Sequence, residues 1–119
     1  MGEIQMFGFL KKAEVNEEKV NAFADWFLEN GDRIIASVNN RMQDRQAMMT
    51  VLDEVEEQLA KVYRDGYKGQ IEFDYGGKDD DWTLNLYHKN KPFSMQATEM
   101  IADRINEKRD PKWKVRVGK

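Results

Sequence analysis

At 119 residues and a net charge of −3, the chain has the size of one domain, large enough to bury a core without metal or disulfide support. It contains no cysteine, which excludes thiol catalysis, cysteine zinc sites and a disulfide framework, and which allows a reducing compartment. Its apolar runs are a few residues long, against the roughly 20 needed for a membrane-spanning helix, so the expectation is a soluble, cytoplasmic protein without a membrane partner.

The charge is unevenly placed. Lys108, Arg109, Lys112, Lys114, Arg116 and Lys119 against Asp110 give +5 at the C-terminal end, leaving −8 for residues 1 to 107. An acidic body argues against extensive nucleic-acid binding, where a continuous basic surface supplies most of the affinity.

Residues 1 to 15 hold Ile4, Met6, Phe7, Phe9 and Leu10 without a clean period, an expectation of an edge strand or a packed arm. The MFGFLKK pattern fits Met6 as the natural start, with residues 1–5 an upstream extension; it is too short for a signal-peptide core. A helix is expected from Asn16, with Asn as its N-cap, Glu17 and Glu18 in the first turn, and Val20, Phe23, Ala24, Phe27 and Leu28 on one stripe. Trp26 lies about 60° from Phe23 on that helix, placed for a contact with a neighbouring helix or to anchor a partner protein. Asn30-Gly31 stops the helix, and Asp32 restarts a short one carrying Ile34, Ile35 and Val38.

A bend is expected within residues 39–46, with Asp44 capping the longest helix, from about Arg45 to Arg64. Its stripe is Met48, Leu52, Val55, Leu59 and Val62, broadened by Met49, Val51 and Tyr63, with Asp53, Glu54, Glu56 and Glu57 on a solvated face.

Residues 70–88 carry the clearest period of 2 and predict a β-hairpin. Ile71, Phe73 and Tyr75 alternate with Glu72 and Asp74; Trp82, Leu84 and Leu86 alternate with Thr83, Asn85 and Tyr87. Gly76, Gly77 and Asp79 to Asp81 supply the turn. A last helix is expected after Pro92, capped by Ser94, with Ala97, Met100, Ile101 and Ile105 inward, ending at Asp110-Pro111. Trp113, Val115 and Val117 then alternate with Lys112, Lys114 and Arg116 in a final strand. No repeat, low-complexity tract or linker divides the series, so residues 1–119 are expected to form a single domain.

The fold class is therefore α+β, with N-terminal helices followed by β-β-α-β. The expected sheet is three-stranded and mainly antiparallel, in order 2-1-3, with the helices on its apolar face; the alternative sets strand three beside strand two, in parallel. In order 2-1-3 Lys114 and Arg116 would stand against Glu72 and Asp74 as a cross-strand ladder.

Signals for chemistry are few. His88, the single histidine, falls on the buried parity at a strand end and is expected to bond to a loop. No dinucleotide, Walker, zincin or nucleophile-elbow motif occurs. The three consecutive aspartates lack the alternating spacing of a calcium loop. No cofactor and no metal is expected.

The run Phe23-Ala24-Asp25-Trp26-Phe27-Leu28-Glu29-Asn30, the middle helix, the strand Ile71-Glu72-Phe73 and the closing Lys112-Trp113-Lys114-Val115 resemble a loose group of small bacterial α+β proteins of unknown function. The resemblance spans most of the chain in element order and implies a bacterial cytoplasmic domain with no catalytic residues to carry over. The functional expectation is a non-enzymatic protein–protein interaction domain, an adaptor or immunity-type protein, with Trp26, Tyr87, Lys112, Lys114 and Arg116 as candidate interaction surface and self-association open. The alternatives are a small enzyme with a carboxylate-based site and a weak single-stranded nucleic-acid binder using the polar sheet face.

Overall fold

The computed structural model describes residues 15–67 and 69–119, so the expectation of an N-terminal arm or edge strand lies outside the described residues except at Val15, which is buried. The first helix, α1 (Glu17–Glu29), begins as its cap predicts: Asn16 Oδ1 accepts hydrogen bonds from the backbone N–H of Glu18 (2.9 Å) and Lys19 (3.2 Å). Val20, Phe23, Ala24 and Phe27 are buried.

Asn30 closes α1 and opens α2 (Gly31–Asn39) in one step, because its amide donates to Trp26 O (2.8 Å) while its own carbonyl accepts from Ile34 N (2.9 Å). The second helix thus starts at Gly31, one residue before the expected Asp32. Glycine is required there by close approach: a Cβ on Gly31 would lie 2.7 Å from Trp113 Nε1 and 2.9 Å from its Cδ1.

Asp44 caps α3 (Arg45–Ala60), accepting from Ala47 N at 3.0 Å. The helix is shorter than expected, and the chain passes through a turn into a 3-10 segment, Arg64–Tyr67. Its core stripe is Val51, Val55 and Leu59, continued by Val62 and Tyr63. Leu52, expected in the core, is only partly buried and stands outside the core cluster. The 100° step places Val51 and Leu52 on opposite flanks of Val55, and the tertiary contacts take the Val51 flank.

The hairpin pairs β1 (Glu72–Lys78) with β2 (Asp81–Tyr87), and the turn is tighter than expected. Gly76 and Gly77 belong to β1, opposite Thr83 and Trp82, and only Asp79 and Asp80 connect the strands. Asp79 adopts φ 54°, a conformation aspartate tolerates, and its carbonyl accepts from Trp82 Nε1 at 2.9 Å. Gly77 must be glycine, since a Cβ would fall 2.2 Å from Asp81 O.

After the turn at Lys89 and Asn90, α4 (Pro92–Glu107) starts with Pro92 at its first position and Lys91 as N-cap. Ser94 is therefore not the cap. Proline is pre-set for the first helical position and lacks only an N–H that would be unpaired there. Ser94 is buried in the first turn instead, donating to Gln70 Oε1 at 3.0 Å.

The last strand, β3 (Trp113–Gly118), corrects the expected sheet order. Among the described residues the sheet is three-stranded and mixed, β1-β2-β3, with β3 parallel to β2. Bonds from Trp82 N to Lys112 O (2.9 Å) and His88 N to Gly118 O (3.0 Å) mark the two ends of that ladder. The reason is burial. Trp82, Leu84 and Leu86 are each 0% exposed and take the central position, while β1, with its glycine pair, fits an edge. The strand–helix–strand unit β2-α4-β3 then places parallel neighbours side by side.

One core lies between the apolar sheet face and the helices. It joins Phe23, Phe27, Leu59, Leu84, Leu86 and Ile101, with Phe73 half-buried at its rim. Trp113 sits at its centre, edge-on to Phe27 (4.8 Å) and Tyr75 (6.3 Å) and tilted against Trp82 (5.8 Å).

Candidate interaction surface

Strand parity sends the polar positions to the opposite side of the sheet, where register arranges them in rows. Asp74, Asn85 and Arg116 form one row, Gly76, Thr83 and Lys114 the next, and Glu72, Tyr87 and Gly118 the third. In these three rows acidic groups occupy the β1 side and basic groups the β3 side, with uncharged hydrogen-bonding side chains between; at the hairpin end a fourth pair, Lys78 of β1 with Asp81 of β2, reverses the signs.

Asp74 organises the middle of this face. One carboxylate oxygen accepts from Asn85 Nδ2 at 2.7 Å and the other from the Tyr87 hydroxyl at 3.3 Å. Partial desolvation, then the charge of Asp74 and this hydrogen bond, raise the Tyr87 pKa above its ordinary value, so the phenol is held as a donor. Glu72 pairs with Lys89 at 3.0 Å.

The expected ladder of Lys114 and Arg116 against Glu72 and Asp74 does not form, because β2 stands between them. Lys114 instead bonds Asp81, and that hydrogen bond, with the attraction of the ammonium, holds the Asp81 carboxyl below its usual range. Lys112 reaches Asp32 of α2 at 3.0 Å, which raises the lysine pKa. Both are exposed pairs of small energetic weight. Arg116 lies opposite the uncharged Asn85 and is exposed.

Of the five candidate residues, Tyr87, Lys114 and Arg116 therefore share the open face, and Lys112 stands at its border with the helical layer. Trp26 does not join them. It is half-buried, packed against the core with its ring 6.5 Å from Phe23. His88 is 7% exposed and its Nδ1 accepts from Asn90 N at 2.9 Å, the expected strand-end contact with a loop; the bond requires the tautomer protonated on Nε2.

The outer edge of β3 is closed by side chains, which the sequence reading missed. Asn106 of α4 donates from Nδ2 to Val115 O (3.0 Å) and accepts from Val115 N (2.9 Å), matching the two bonds a neighbouring strand would make. Asp110 Oδ1 accepts from the N–H of Lys112 (2.9 Å) and Trp113 (3.0 Å). The signal was present as two Asx residues, one in the last turn of a helix and one in the link to the next strand, since such side chains bond readily to nearby backbone. With that stretch occupied, Val115 offers no free backbone groups for strand addition at the outer edge of β3.

Among the described residues no group of three or more His, Asp or Glu is placed to hold a metal ion, and no helix is long and apolar enough to cross a membrane. In comparisons with known proteins, no family model, no curated protein and no solved structure matches the chain.

Proposed function

We propose that this chain is a non-enzymatic interaction module, of adaptor or immunity type, that docks a partner protein on the open face of its sheet. The observation that carries the reading is the division of that face, away from the Lys78–Asp81 hairpin end, into an acidic side (Glu72, Asp74) and a basic side (Lys114, Arg116) around Tyr87. A rigid sheet fixes the spacing of these groups, and Tyr and Arg are the residues most often enriched where interfaces gain their energy. The complementary partner presents carboxylates towards Arg116 and a cation towards Asp74. Carboxylates already engaged by lysines limit the field of the basic edge, which favours a protein over a nucleic acid. A bacterial cytoplasmic setting, implied by the family resemblance, belongs to the same proposal.

Placing a photo-crosslinking residue at Thr83, in mid-face, and at the exposed Asp25 of α1 as a control tests the reading. One dominant protein adduct from Thr83, absent from Asp25 and lost on Tyr87→Ala, is expected. Equal adducts from both positions refute it, as does micromolar, salt-sensitive binding of a single-stranded oligonucleotide that disappears on Tyr87→Ala.

A further inference from the structure

A second surface lies on α3, whose C-terminal half borders a cavity shared with Ile71, Glu72 and Lys89. Arg45, Met48, Met49, Leu52 and Glu56 follow the spacing i, i+3, i+4, i+7, i+11, which puts them on one face of that helix, offset from the buried Val51, Val55 and Leu59. Met49 is 39% exposed; Met48 and Leu52 are partly exposed and stand outside the core cluster. An apolar seam thus runs along a helix whose burial is already supplied by a different stripe.

Charge along α3 is unevenly placed. Arg41 and Arg45 stand with the N-cap Asp44 at its N-terminal end, and Asp53, Glu56 and Glu57 lie in its C-terminal half, all exposed. Nearby Glu54 is engaged by Arg33 at 2.5 Å. This pattern is self-complementary only in the antiparallel sense. A two-fold axis at the midpoint between Thr50 and Val51 sets Met49 against Leu52 of a second copy and Arg45 against Glu56 of that copy, twice by symmetry. Parallel pairing would set the acidic halves against each other, and it would also align the helix dipoles unfavourably.

We infer that α3 forms an isologous antiparallel dimer seam, whose partner is a second copy of this chain. Glu56 also makes an interaction within its own chain, and a carboxylate with several lone-pair sites can accept a further donor. The seam is short, about one 16-residue helix per copy, so the dimer is reversible on dilution. It leaves the sheet face open, and the inference stands independently of the docking proposal.

Sedimentation of the full chain over a hundredfold range of concentration tests it, with circular dichroism checking that each variant stays folded. The expected result is a dimer at on the order of hundreds of micromolar that dissociates on dilution. Arg45→Glu alone and Glu56→Arg alone are each expected to sediment as monomer, since each sets like charges together at both symmetry-related pairs. Their equimolar mixture is expected to restore the dimer, because both pairs are then opposite in sign. A monomeric wild type at the highest concentration, variants that dimerise as wild type does, or a mixture that stays monomeric overturns the inference.

Discussion

Asn106→Ala removes the side chain that closes the outer edge of β3, with measurable consequences for stability and for association. Two bonds are lost, Nδ2 to Val115 O at 3.0 Å and Val115 N to Oδ1 at 2.9 Å, and Val115 itself is only 5% exposed. At about 0.5–1.5 kcal/mol per net hydrogen bond, the loss is about 1–3 kcal/mol. For a chain of this length, 1 kcal/mol corresponds to roughly 3–5 °C in Tm, which gives a fall of about 3–15 °C by circular dichroism. Asn106→Asp keeps the acceptor for Val115 N and should fall between Ala and wild type. The unpaired Val115 N–H and C=O also become a template for another strand, so light scattering on heating should rise earlier in the variant. A Tm within about 1 °C of wild type, with unchanged scattering, would refute the assignment of Asn106 as an edge cap.

Other expectations follow from the packing. Gly31→Ala should cost about 1–3 kcal/mol in urea unfolding, the usual range for overpacking a filled core, because its Cβ meets the buried Trp113 ring at 2.7 Å. Leu59→Ala should cost on the order of 2–5 kcal/mol, as buried leucine truncations do, and Leu52→Ala clearly less, in the order of their burial. Burial pushes the Tyr75 hydroxyl up to about 12 and the Tyr63 hydroxyl higher still. A raised phenol pKa adds stability that is complete below the unfolded value near 10 and is lost as pH rises through the folded value. Unfolding should therefore become easier between pH 10 and 12, and absorbance at 295 nm should show the buried tyrosines ionising together with loss of structure; early, independent ionisation of all four tyrosines would contradict this.

Local signals in the sequence were the legible ones. Asn16 and Asp44 cap the helices as their side-chain chemistry predicts, and the alternation at residues 71–75 and 82–86 fixes which side chains face the core. Sheet order was not legible from alternation alone, because alternation assigns faces and says nothing about neighbours. The usable clue was the comparison of strands: Trp82, Leu84 and Leu86 form an unbroken set of large inward residues, whereas the inward set of β1 ends in Gly77. Placing Met48 and Leu52 in the core failed for a related reason, since a wide apolar helix face contains both a buried stripe and an exposed seam, and only tertiary contacts divide them. The polar face was identified residue by residue, but its partners were misassigned once β2, not β1, became the central strand.

The claim that the open sheet face docks a partner protein is tested most directly by calorimetric titration of that partner, once identified by crosslinking, against wild-type protein, Arg116→Glu, Asp74→Lys and the control Asp25→Lys. Each face variant is expected to bind at least about tenfold more weakly, roughly 1.4 kcal/mol, with the control unchanged. Equal affinity across all four proteins, with their folds intact, would contradict it.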